Sequence, residues 1–128
     1  MRTSMLYIAA LCAVVVSLAH SILGERRLIG PMVDNAAPSP TVLKSRRVQR
    51  ILRVTWHGVS LNWIAQAAIF VIVAQVAPQA QGSVIVGVIG ASFLVMAGIS
   101  FAASGTRHIG WPLLTAIGVA GLAASLMW

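Results

Sequence analysis

The sequence predicts an all-α fold that crosses a membrane, on three observations. Charged residues are scarce, with nine Lys/Arg and two Asp/Glu in 128 residues, where a soluble domain carries about a quarter. Apolar residues make up 59% of the chain and mean hydropathy is +0.91, so a water-soluble globule of this size could not cover its surface. Finally, the apolar residues gather into four runs of roughly 20 residues, the length at which a helix rising about 1.5 Å per residue crosses about 30 Å of hydrocarbon. The same composition, with Cys12 the single cysteine, excludes a disulfide scaffold and a disordered chain. No alternation suggests strands of a barrel.

Taken in order, the spans are expected at about 5–23, 54–77, 83–103 and 109–128. Pro78 closes the second, and Pro112 falls in the first turn of the fourth, where a missing N–H does little harm. The connections 78–82 and 104–107 are short, so spans two to four alternate in direction and the whole reads as an antiparallel four-helix bundle in one membrane domain, 1–128. The 24–53 connection is longer. Its run from Asp34 to Pro40 reads as a flexible linker, and Ser39 followed by Pro40 reads as a cap and first turn. From there a basic amphipathic helix leads into the second span.

Orientation follows from the cations. Arg26, Arg27, Lys44, Arg46, Arg47, Arg50 and Arg53 lie in the long connection and Arg107 in the last one, against Arg2 alone on the other side. That bias places the 24–53 link in the cytoplasm and both termini outside. Cleavage after Ala19 is the competing reading, since Arg2, the apolar run 6–16 and Ser17-Leu18-Ala19 resemble a secretory signal; the charge bias argues against it. Lys44, Arg46, Arg47, Arg50 and Arg53 are expected to contact anionic lipid headgroups. A pI near 11.8 therefore reflects topology, and nucleic acid is not expected as a partner.

Polar residues within the spans are the best pointers to function. His20, His57 and His108 are the three histidines, and all fall near the cytoplasmic ends of their spans. Ser17, His20, Ser21, Gly24 and Glu25 share one face of the first helix, while Arg46, Arg50, Arg53, His57 and Ser60 form a stripe on the second. If these faces meet, Glu25 can neutralise an arginine and the histidines can converge. Imidazoles with a carboxylate are a usual ligand set for Zn, Fe, Cu or Ni. His20, His57, His108 and Glu25 are thus the candidate metal ligands, although no His-Glu-x-x-His or Cys-x-x-Cys spacing supports them. A haem held by His20 and His57 is the redox version of this reading.

Interfacial packing is the plainer account of the histidines, as it is of Trp56, Trp63, Trp111 and Trp128, which fit an aromatic belt. Small residues on the last two spans (Gly87, Gly90, Ala91 and Gly98, then Gly118, Gly121 and Ser125) favour close helix packing. No catalytic residues are assigned: Asp34 lies in a linker, no Gly-x-Ser-x-Gly elbow occurs, and Cys12 sits in apolar company.

The runs Ala19-His-Ser-Ile-Leu-Gly-Glu-Arg-Arg-Leu-Ile29, Trp56-His-Gly-Val-Ser60 and Arg107-His-Ile-Gly-Trp111 resemble those of small four-span bacterial inner-membrane proteins of unassigned function. The resemblance implies a bacterial inner-membrane protein whose distinctive residues gather at the cytoplasmic face, and it carries over no catalytic or ligand role. The expected function is a non-enzymatic membrane protein with a His-rich polar site at the cytoplasmic interface that holds a transition metal. The alternatives are an accessory subunit of a larger membrane complex and a haem-binding redox protein. Expected partners are the bilayer and either a second copy or a larger membrane assembly.

Overall fold

The structure, a computed structural model, describes residues 1–34, 45–75, 80–104 and 110–127. Its elements are α1 (Arg2–Gly24), a π-helical turn (Glu25–Ile29), α2 (Gly30–Asp34), α3 (Arg46–Gln75), α4 (Ala80–Ser104) and α5 (Gly110–Ser125). The described residues contain no strand. Three stretches, Arg2–Val33, Arg46–Gln75 and Gly82–Ala102, are helices long and apolar enough to cross a membrane. The fourth run forms the 16-residue helix Gly110–Ser125, about 24 Å long. It is apolar but shorter than the expected 109–128 span. The expected linker begins at Asp34, which is still helical, and the rest of it, with the expected cap at Ser39 and Pro40, lies outside the described residues.

The first helix does not stop near Leu23. It continues through the π-helical turn into α2, so that residues expected in a connection remain helical to Asp34. Pro31 explains the wider turn. Proline has no N–H to bond the carbonyl four residues back, and its ring clashes with that carbonyl in a regular α-helix. In the π turn the Gly30 N–H bonds instead to the Glu25 carbonyl, one residue further back. The extra residue also rotates the following turn. Ile29 and Val33 are therefore buried, 1% and 7% exposed, where a continuous α-helical register would turn them away from the face carrying Ser17 and Gly24.

α1 packs against both α3 and α5, α5 packs against α4, and α3 meets α4 only lightly. Each helix lends one narrow stripe to the interior: Leu6, Ala9, Ala10, Ala13 and Val16 from α1; Trp63, Ala67 and Phe70 from α3; Val86, Phe93 and Ala97 from α4; Leu114, Ile117 and Ala124 from α5. Apart from the adjacent Ala9 and Ala10, successive members of each stripe lie three, four or seven residues apart, one face of a helix. Alanines on α1 let its two neighbours approach closely. Trp63 and Phe93, with centroids 6.3 Å apart, bridge α3 and α4.

The closest approach is between α4 and α5, and glycine makes it. A Cβ on Gly90 would lie 2.8 Å from the Leu122 nitrogen and 3.0 Å from the Gly118 carbonyl oxygen. A Cβ on Gly121 would lie 3.1 Å from the Gly90 Cα. Ser83 Oγ donates to the Ser125 carbonyl at 2.7 Å, tying the same pair together. Of the small residues expected to pack within the molecule, most do so here, with two exceptions: Ala91 is exposed, and a Cβ at Gly98 would meet nothing within 4 Å.

The outer surface is as apolar as the interior. Ile8, Leu11 and Leu18 on α1, Val54, Leu61 and Ile72 on α3, and Val84, Val88, Val95 and Ile99 on α4 are all exposed. Soluble monomers rarely expose contiguous patches of this kind. Helices, whose backbone groups are bonded within each segment, are the form that such a surface takes in lipid.

Candidate functional site

The polar faces of α1 and α3 do meet. On α1, Ser17, His20, Ser21, Gly24 and Glu25 stand at i, i+3, i+4, i+7 and i+8, one side of a helix. On α3, Arg53, Trp56, His57, Ser60 and Trp63 stand at i, i+3, i+4, i+7 and i+10. Their contacts form a ladder. Arg53 Nε donates to Glu25 Oε1 at 2.9 Å, Ser21 Oγ and His57 Nδ1 share a hydrogen bond of 2.6 Å, and His20 Nδ1 and Ser60 Oγ share one of 3.0 Å. Ser17 Oγ, 1% exposed as a residue, donates to the Ser60 carbonyl at 2.6 Å. As position rises along α1 it falls along α3. Charged groups stand at one end of the ladder and buried hydroxyls at the other, a graded passage from polar to apolar surroundings.

Glu25 is shared between two partners. One carboxylate oxygen takes the Arg53 guanidinium, and the other, Oε2, lies 3.4 Å from His57 Nε2. Oε2 is buried and accepts no hydrogen bond among the described residues. The side chains of Glu25, Arg53 and His57 are 31%, 39% and 43% exposed. With that much solvent access the ion pair contributes at most about 1 kcal/mol, and its effect is to aim the carboxylate.

The two hydrogen-bonding states of His57 have different consequences. A Ser21 hydroxyl that donates to Nδ1 leaves the ring proton on Nε2, toward Glu25. A hydroxyl that accepts from Nδ1–H leaves either a second ring proton or a lone pair at Nε2, and a lone pair opposite a carboxylate is satisfied by a bridging water or by a cation.

His20 occupies a different setting. Its ring stacks on Trp56, centroids 4.2 Å apart and planes 10° from parallel, and meets Trp63 edge-on at 5.0 Å. Trp56 Nε1 donates to the His20 carbonyl at 3.0 Å. The Trp56 indole also occupies the space that a Cβ on Gly24 would need, so Gly24 is the gap through which α3 delivers this ring.

These positions correct one expectation and divide the members of another. Trp63 does not sit in an interfacial belt; it is 4% exposed and packs inside against His20 and Phe93, because its position on α3 faces α1 and α4. The proposed ligand set His20, His57, His108 and Glu25 is not assembled among the described residues, where no group of three His, Cys, Asp or Glu side chains could hold one ion. Glu25 and His57 come together, His20 is held by Ser60 and two indoles, and His108 and Lys44 lie outside the described residues. Of the lipid-contact residues, Arg46, Arg47 and Arg50 are exposed and Arg53 is engaged by Glu25.

A groove of about 420 Å³ lies elsewhere, between α1 and α3 and away from the polar ladder, lined by Tyr7, Leu11, Val14, Ile64 and Val71 among others. Its lining is apolar, as suits a lipid chain. Trp111, another belt candidate, meets Phe101 edge-on at 5.2 Å, and its buried Nε1 has no hydrogen-bond partner among the described residues.

The indole–imidazole stack escapes sequence reasoning because it depends on which faces of α1 and α3 meet. Gly24 between Ser21 and Glu25 on a polar face is the one local signal that could have found it. Comparison with protein-family models, with curated proteins and with solved structures finds no match to this chain.

Proposed function

We propose that this chain is a small multi-pass protein of the bacterial inner membrane in which Glu25 and His57 supply the protein part of a transition-metal site at the cytoplasmic interface. The four helices form an antiparallel bundle, the 24–53 connection faces the cytoplasm and the termini face the other side. The apolar outer surface supports insertion, and the opposed order of contacts along α1 and α3 supports alternating directions. Excess positive charge in the link supports the orientation. Although α5 is short, it is packed against α1 and α4, and local thinning of the bilayer accommodates a span somewhat below the hydrocarbon thickness.

One observation carries the metal reading: the buried Glu25 Oε2, without a hydrogen bond, 3.4 Å from His57 Nε2. Two ligands bonded to one tetrahedral ion at about 2.0–2.1 Å stand about 3.3–3.4 Å apart. Ser21 on Nδ1 then plays the orienting part that a metal-bound imidazole requires on its other nitrogen. An imidazole and a carboxylate suit Zn, Fe, Ni or Cu. Water supplies the remaining positions around the ion.

The test is elemental analysis with an absorbance spectrum on protein purified in mild detergent. The expected result is one metal ion per chain. His57→Ala and Glu25→Gln lose it, His20→Ala keeps it, and Ser21→Ala binds roughly 10- to 100-fold more weakly. Metal-free parent protein, or full metal content in His57→Ala, overturns the site. A Soret band would instead favour haem. A reporter at Asp34 is expected to label from the cytoplasm, and labelling from outside would reverse the orientation.

A further inference from the structure

Opposite the face that α3 turns toward α1 runs a second seam with no partner among the described residues. Val48, Ile51, Thr55, Gly58, Asn62, Ala65, Ile69 and Ile72 recur at alternating intervals of three and four, the a and d spacing of a coiled coil. Val48 and Ile69 are partly covered, and the other six are exposed. A Cβ at Gly58 would meet nothing within 4 Å. Within the apolar part of the helix this face also carries an amide, Asn62, exposed to the surroundings and without a hydrogen-bond partner among the described residues.

Asn62 stands nine residues beyond Arg53, about 14 Å along the axis. In the membrane reading proposed above, on which this inference rests, that is near the middle of the hydrocarbon. A carboxamide facing lipid at that depth has neither water nor protein to satisfy it. We infer that α3 pairs in parallel with α3 of a second copy of this chain, through this seam, with the two Asn62 side chains hydrogen-bonded across the two-fold axis.

Self-complementarity favours a second copy over a different protein. An amide carries both donor and acceptor, so two of them satisfy each other. Two copies inserted with the same topology present Asn62 at equal depth and run parallel, the arrangement in which one polar a position fixes register. Gly58 and Ala65, flanking Asn62, let the backbones approach closely enough for the amides to meet. Arg46, Arg50 and Arg53 point off the seam, while Arg47 lies at its edge on the same side as Ala65, at the end of the helix where guanidinium groups reach headgroups and water. A symmetric face meeting itself is also the commonest way in which identical chains assemble.

The experiment is disulfide cross-linking of the full chain in its membrane, in a Cys12→Ala background with single cysteines. Gly58→Cys and Ala65→Cys lie on the seam, while Leu61→Cys and Ala68→Cys lie beside it. Covalent dimers are expected from the first pair and not from the second. In liposomes at increasing dilution, Asn62→Leu is expected to weaken dimerisation roughly 3- to 30-fold, read by single-molecule photobleaching. Equal cross-linking at all four positions, a dimer unaffected by Asn62→Leu, or seam cysteines linked to another protein would each overturn the inference. Alkaline carbonate extraction of the same membranes separates this outcome from failure of the membrane reading. Protein that stays in the pellet but does not dimerise refutes the seam alone, whereas protein released to the supernatant refutes insertion and the seam with it.

Discussion

Replacing Gly90 by valine is expected to separate α4 from α5 and to produce the largest loss of stability of any single change to a small residue in this protein. The first atom of any side chain at this position would come within 2.8 Å of the Leu122 nitrogen and 3.0 Å of the Gly118 carbonyl oxygen. Both are backbone atoms on a helix, so no rotamer change can relieve the contact. The helices must move apart, and the contacts around Val86, Gly121 and the Ser83–Ser125 hydrogen bond loosen with them. In a membrane this matters especially, because lipid is as apolar as the interior and close packing replaces the hydrophobic effect as the force between helices. Overpacking of this kind costs about 1–3 kcal/mol or more. Gly98→Val on the same helix is the control, since nothing lies within 4 Å of a Cβ there. Thermal unfolding in mild detergent should show a large fall in midpoint for Gly90→Val and little change for Gly98→Val. Equal falls would mean that the contact does not hold the pair together.

Gly24→Ala should be the most damaging conservative change at the polar site. Its methyl group would collide with the Trp56 indole, which is fixed by a hydrogen bond from Nε1 to the His20 carbonyl and by stacking on the His20 ring. Moving the ring forfeits both interactions, the stack alone contributing about 0.5–1.5 kcal/mol. The expected loss is about 1–3 kcal/mol, and Trp56→Leu should remove a similar amount. Because the two residues act through one contact, their effects should not add. In a double-mutant cycle, Gly24→Ala in the Trp56→Leu background should be nearly neutral. Full additivity in thermal unfolding would show that Gly24 acts through backbone entropy and not through the indole. The same variants connect packing to function: α1 and α3 together position Glu25 against His57, so Gly24→Ala is also expected to weaken metal binding at the proposed site, read by elemental analysis.

Much of the site could be read from residue spacing. The helical face with Ser17, His20, Ser21 and Glu25, and the stripe with Arg53, His57 and Ser60, follow from 3.6-residue periodicity. The ladder that joins them has the expected participants. Pairing was not legible, because it depends on the rotation of each helix about its axis, and small residues at the contact set that rotation. Hence Trp63, whose composition class suggests an interface, is inside, and His20 is enclosed by two indoles and not turned toward Glu25. Asn62 was equally hidden, since an amide in an apolar run gains meaning only when its face is known to point outward.

Hydropathy, charge bias and periodicity, all properties of the chain read locally, determined by themselves that this protein is helical, how many apolar segments it has and where its polar residues cluster. They carry that information because the length of a helix and the cost of an unpaired backbone group in lipid are local quantities. The tertiary structure alone decided that the first helix runs on to Asp34 through a π turn, that α3 rests on α1 with little contact to α4, and that Glu25 holds Arg53 on one oxygen and faces His57 with the other. Each of these depends on atoms far apart in sequence competing for the same space, and such competition leaves no trace in composition or spacing.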